Sequence, residues 1–109
     1  MAAVQVTSEI AQRAAILGWK DLPDDLVERT KQCLLDWFAV TLAGAQDELT
    51  DILIQETLED GGRGPASLVG RKERVTPSAA TLINGAASHA LDYDDVNFAM
   101  GGHPTVTVV

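Results

Sequence analysis

Apolar residues return at three- and four-residue intervals along several stretches of the chain, the spacing that lines one face of an α-helix. From Ser8 to Trp19, Ile10, Ala14 and Leu17 share a stripe, with Thr7 or Ser8 placed to cap the start. The second stretch is the clearest. Leu22-Pro23-Asp24-Asp25 puts a proline in the first turn and two carboxylates at the positive end of the helix dipole. Leu26, Thr30, Leu34, Trp37, Phe38, Thr41 and Leu42 then repeat as a core-facing stripe, and Gly44 is placed to end it. A third helix is predicted from Asp47, with Leu49, Ile52 and Leu53 on its apolar side, running out at Asp60-Gly61-Gly62.

Beyond that point the pattern changes. Gly61 to Pro65 reads as a loop, Ala66-Ser67-Leu68-Val69-Gly70 as a short strand, and Arg71-Lys72-Glu73-Arg74 as a solvated turn. Thr76-Pro77 is a helix opening, cap followed by proline. The helix it opens, Ser78 to about Leu91, is rich in small residues: Ala79, Ala80, Gly85, Ala86, Ala87, Ser88 and Ala90. Small side chains let a neighbouring helix come close, so this helix is expected to be central and well covered. The fold class is therefore mainly α, with at most one short β-strand near 66–70, in a single domain over 1–109. Thr105-Val106-Thr107-Val108-Val109 is an apolar, β-branched run without cap or polar tail, and the chain is expected to be a truncated piece of a larger domain.

Composition narrows the class. With 109 residues, 46% of them hydrophobic, the chain is too apolar for a disordered one, and a length of this order buries roughly two-thirds of its unfolded surface. Eight basic side chains against sixteen acidic ones give a net charge of −8, which argues against nucleic acid and against an anionic membrane as partners. The single cysteine, Cys33, excludes an internal disulfide framework and a cysteine-rich metal site, and it reads as a buried small hydrophobe. The N-terminus has neither the basic residues nor the apolar stretch of a secretory signal, so a cytoplasmic location is expected.

Groups able to do chemistry gather between Asn84 and His103. The small-residue helix carries Asn84 and His89. Leu91-Asp92-Tyr93-Asp94-Asp95 follows, then a loop through Gly101-Gly102 to His103-Pro104. On a continued helix His89 and Asp92 would share a face. The two glycines can adopt backbone angles that bring His103 back toward the carboxylates. A carboxylate beside an imidazole suits acid–base work, because it fixes the tautomer and raises the proton affinity of a group that titrates near neutrality.

Plainer readings stand beside this one. Asp94 and Asp95 can simply solvate a helix end, His89 can be a packed histidine bonded to a backbone carbonyl, and Trp37 and Phe38 read as core. The same His and Asp residues also offer nitrogen and oxygen ligands for a metal, although an EF-hand fails: Asn97 replaces its obligatory glycine and His103 its final glutamate. Acid–base use ranks above metal binding, and no metal or other cofactor is expected. A metal-dependent hydrolase or a non-catalytic helical interaction module are the readings from other classes.

Ile83-Asn84-Gly85-Ala86-Ala87-Ser88-His89-Ala90-Leu91-Asp92-Tyr93-Asp94-Asp95, followed by Gly102-His103-Pro104, resembles the signature of the MmgE/PrpD family, and Leu22 to Asp36 is similar to that family's opening helices. The resemblance implies part of a large helical domain, homodimeric when full length, and needing neither metal nor iron–sulfur cluster. The implied activity is that of a cofactor-independent lyase of the 2-methylcitrate dehydratase type, acting at a carbon next to a carboxylate of a small di- or tricarboxylic acid. Epimerisation or decarboxylation by the same proton chemistry is the alternative within the family. By motif position, Asp92 and His103 would be catalytic, while His89, Asp94, Asp95 and Asn84 would bind substrate or support the loop. Val96 stands where some members carry a hydroxyl residue, and the cations that a polycarboxylate requires would lie beyond position 109, leaving this segment inactive alone.

Overall fold

A computed structural model describes residues 5–109. In chain order the elements are α1 (Val6–Ile16), a short 3-10 turn (Trp19–Asp21), α2 (Asp24–Gly44), α3 (Glu48–Glu59), β1 (Arg63–Ser67), β2 (Arg74–Val75) and α4 (Pro77–His89). The molecule is mainly α, as its periodicity requires. Among the described residues no helix is long and apolar enough to cross a membrane. The chain divides into two compact units at Thr30, and α2 runs through the division.

In the first unit, α1 starts at Val6, ahead of both predicted caps: Gln5 precedes it, and Thr7 and Ser8 lie within its first turn. No residue of α1 is buried, so Ile10 and Leu17 line an exposed stripe. Helix α1 stops at Ile16, and the link to α2 is closed by the Gly18 N–H donating to Asp21 Oδ2 at 2.9 Å.

The core of the second unit lies between α3, α4 and the two-stranded sheet. Ile54, Leu68, Val75, Ala80 and Ile83 form it, with Leu53, Leu58, Ala66 and Ala79 packed at its edge. The helix ends follow local chemistry closely. Asp47 accepts from the Leu49 N–H at 2.9 Å to open α3, Gly61 takes a left-handed φ of 76° after it ends, and Thr76 caps α4 ahead of Pro77.

The sheet differs from the expectation in placement. Strand β1 occupies 63–67 rather than 66–70, taking up much of the predicted Gly-Pro loop, and Arg74 and Val75 supply an antiparallel partner. The register slips between Arg63 and Ala66, which accommodates Pro65 at an irregularity where a ladder donor is not needed. Arg71, predicted to be solvated, is largely covered. It donates to the Ala45 carbonyl at 2.8 Å and pairs with Asp51 at 2.7 Å, which ties the α2–α3 turn to the loop ahead of β2.

Helix α2 does not bury its stripe as predicted. Thr41, Gly44 and Ala45 are buried at its C-terminal end, but Leu34, Phe38 and Leu42 remain about half exposed and Trp37 and Cys33 only partly covered. The reason is contact geometry, because α2 meets the rest of its unit through its last turns. A Cβ on Gly44 would stand 2.0 Å from the Ala87 carbonyl oxygen. Gly44 ends the helix without a positive φ, so its part is close approach to α4 rather than a left-handed cap. Helix α4 is covered along Ala80, Ile83, Ala87 and Ser88, and open at Leu82.

Candidate active site

Helix α4 ends at His89, before Asp92, so these two residues are not brought together by a continued helix. The chain instead turns sharply. The Asp92 N–H donates to the His89 carbonyl at 3.0 Å, and Asp92 takes a left-handed φ of 53°. Aspartate tolerates that conformation better than most side chains. The turn drops Asp94 inward beneath the helix end.

Asp94 is the pivot of the site. Its side chain is 2% exposed and stands between two imidazoles. Oδ1 lies 2.8 Å from His89 Nδ1, and Oδ2 lies 3.2 Å from His103 Nδ1. An ionised carboxylate only accepts, so the proton of the 2.8 Å bond sits on His89 Nδ1. On the other side of His103, Nε2 lies 3.6 Å from Asp92 Oδ1, and the Asp92 side chain is largely solvent-exposed. The rings of His89 and His103 meet edge to face, centroids 4.6 Å apart. His89 is thus half-exposed and held by a carboxylate, not packed against a backbone carbonyl.

The loop that returns His103 is built by residues of two kinds. Gly101 has the left-handed φ of 65° for which the glycine pair is suited. Asn97 does more than its place in the sequence suggests. Its side-chain oxygen accepts from the N–H groups of Ala99 and Met100 at 2.9 and 3.2 Å, while its backbone pairs with Gly101 and Gly102. The signal for this was present, an asparagine able to form an Asx turn a few residues ahead of a Gly-Gly pair. Asp95 secures the base of the loop by accepting from the Thr105 N–H at 3.2 Å and hydroxyl at 2.7 Å.

Asn84 lies outside the cluster. Its Oδ1 accepts from the Val69 N–H at 2.9 Å and its Nδ2 donates to the Ser67 carbonyl at 3.3 Å, so it fastens the end of β1 to α4. The structure therefore groups His89, Asp92, Asp94 and His103, and leaves Asp95 and Asn84 as supports.

The hydrogen bond to Asp94 is the main reason the His89 imidazole is more basic than usual, with the charges of Asp94 and Asp92 adding to it and burial opposing. The sign of the linkage follows. A raised folded-state value contributes stability that is complete below the unfolded value of 6.5 and fades as pH rises through the folded one. Nuclear magnetic resonance titration of the protein should place the His89 midpoint above 6.5. A midpoint at or below that value would contradict the bond.

A buried carboxylate set between two histidines thus lies beyond the end of a small-residue helix, on a mainly helical chain. The chain belongs to the MmgE/PrpD family, and residues 8–109 match the MmgE/PrpD N-terminal domain. It is 33% identical over 90 residues to the cis-aconitate decarboxylase of Aspergillus terreus, covering 83% of this chain and 18% of that protein. A cis-aconitate decarboxylase-like protein of Aspergillus oryzae is 30% identical over 98 residues, 90% of this chain and 20% of that one. The cis-aconitate decarboxylase of Mus musculus is 28% identical over 105 residues, 95% of this chain and 21% of that enzyme. The chain thus spans about a fifth of the length of these curated relatives. No solved structure matches it significantly.

Proposed function

We propose that the protein carrying this chain is a lyase that moves a proton at a carbon adjacent to a carboxylate in a small di- or tricarboxylic acid, using His103 and Asp92. The observation that carries this reading is the placement of His103 between two carboxylates, 3.2 Å from Asp94 and 3.6 Å from Asp92. Asp94 is buried with its Oδ2 beside the Nδ1 edge of the ring, and Nε2 faces Asp92 and solvent. An imidazole placed this way presents Nε2 for giving or taking a proton.

Of the reactions open to this chemistry, loss of carbon dioxide from a cis-aconitate-like acid has the support of the relatives' names. In that step the bond from carbon to the departing carboxylate breaks, its electron pair stays on the carbon framework, and one proton is delivered in place of carbon dioxide. Elimination of water from a 2-methylcitrate-like acid would use the same two residues in the opposite sense, removing a proton from carbon and supplying one to the leaving hydroxide. The motif resemblance favours this second reading.

The test is turnover of both acids by the protein purified at the full length of its gene. Carbon dioxide release from cis-aconitate is the expected result. Asp92→Asn should lower kcat about 100-fold with little change in KM, the usual scale for losing one acid–base group. Unchanged turnover in Asp92→Asn would assign the residue a structural part, and inertness toward both acids would overturn the lyase reading.

A further inference from the structure

Asp94 Oδ2 and His103 Nδ1 are both buried and neither has a hydrogen-bond partner, although only 3.2 Å separates them. At that distance a hydrogen bond fails only through direction, because the ring nitrogen and the oxygen do not point at one another. Buried polar atoms left in this state need an explanation. Two ligands of one metal ion have this relation, since each aims its lone pair at the ion instead of at its neighbour. With bonds of about 2.0–2.2 Å, a 3.2 Å separation corresponds to an angle at the ion of roughly 100°, close to tetrahedral.

The rest of a ligand shell is at hand. His89, Asp92, Asp94 and His103 each offer one ligand atom, and these all lie within 4.8 Å of one another. Two come from the end of α4 and its turn, and two from the segment beyond. Asp94 is fixed by burial, whereas Asp92 and His89 are exposed enough to close the remaining distance by side-chain rotation. Two imidazoles and two carboxylates form a borderline donor set of the kind that suits zinc and its neighbours more than magnesium or calcium.

We propose that His89, Asp92, Asp94 and His103 form a binding site for one divalent transition-metal ion of the zinc class. Such an ion occupies the lone pairs that proton transfer needs, so it acts as an inhibitor of the site and not as a cofactor.

The test uses the purified protein stripped with a chelator and titrated with zinc against a chromophoric zinc indicator. One equivalent should be drawn from the indicator in the micromolar range or tighter. His89→Gln and Asp94→Asn should each weaken binding at least about tenfold, while Cys33→Ser should leave it unchanged. His89 is half-exposed, so its variant keeps the test open even where the buried Asp94 variant folds poorly. Failure to compete with the indicator, wild-type affinity in His89→Gln, or loss of binding in Cys33→Ser would each overturn the proposal. The indicator reports the ion whether or not any acid is turned over. A negative result here therefore leaves the lyase reading intact, and an inert enzyme that binds zinc leaves this site intact.

Discussion

Asp94→Asn is expected to lower turnover about 100-fold or more and to cost about 2 kcal/mol of stability near neutral pH, more than neutralising any other carboxylate in the chain. The asparagine keeps the shape but cannot accept at both oxygens as a charged group does, and its amide would present a donor toward imidazole nitrogens. The bond to His89 Nδ1 is lost or weakened, and His103 loses the buried charge beside its Nδ1. Asp94 acts through the two histidines, so the distinguishing measurement is the imidazole titration. The His89 midpoint should fall back toward 6.5 in the variant, a change that simple loosening of the fold would not single out. Wild-type turnover together with an unmoved midpoint would remove Asp94 from its central place.

The second large effect is expected at Gly44→Ala. Gly44 is the last residue of α2 and lacks a positive φ, so the backbone by itself sets no penalty against alanine. The contact decides otherwise. The new Cβ would stand 2.0 Å from the Ala87 carbonyl oxygen and 3.0 Å from its carbon, and a backbone group in the last turn of α4 moves only with the helix end. Helices α2 and α4 must separate, which opens the packing around Thr41, Ala45 and Ala87, all buried now. A net loss of about 3 kcal/mol is expected in denaturant titration, at the upper end for overpacking because backbone is involved. Stability equal to or above wild type would show that the helices are less closely apposed.

How far the sequence could be read depends on the range of the interactions concerned. Asp47, Thr76-Pro77 and Gly61 act on backbone groups within a few residues, and the helix ends they mark stand close to where the letters place them. Strand β1 was displaced because its residues are held by pairing to Val75 across an intervening loop, a non-local contact that overrides the loop character of Gly64 and Pro65. Trp37 and Phe38 are less buried than their apolar stripe suggests, for a related reason. Periodicity shows which face of α2 is apolar, but it does not show which turns of the helix meet a neighbour.

The grouping of imidazole and carboxylate was legible in outline, since the glycine pair and the crowding of acids both point to a returning loop. The identity of the central carboxylate was not. Asp92, Asp94 and Asp95 are the same side chain in three adjacent settings, and only the fold makes one exposed, one buried between rings and one a latch on Thr105.

The backbone at Asp92 bears on how its neutralisation can be interpreted. A φ of 53° is a conformation that asparagine accepts nearly as readily as aspartate, whereas alanine pays a steric penalty of about 1–2 kcal/mol for it. Exchanging acid for amide at this position therefore removes the charge and the titratable proton while sparing the local chain path, and whatever activity disappears measures those two together. An alanine scan would confound that charge with a reshaped turn.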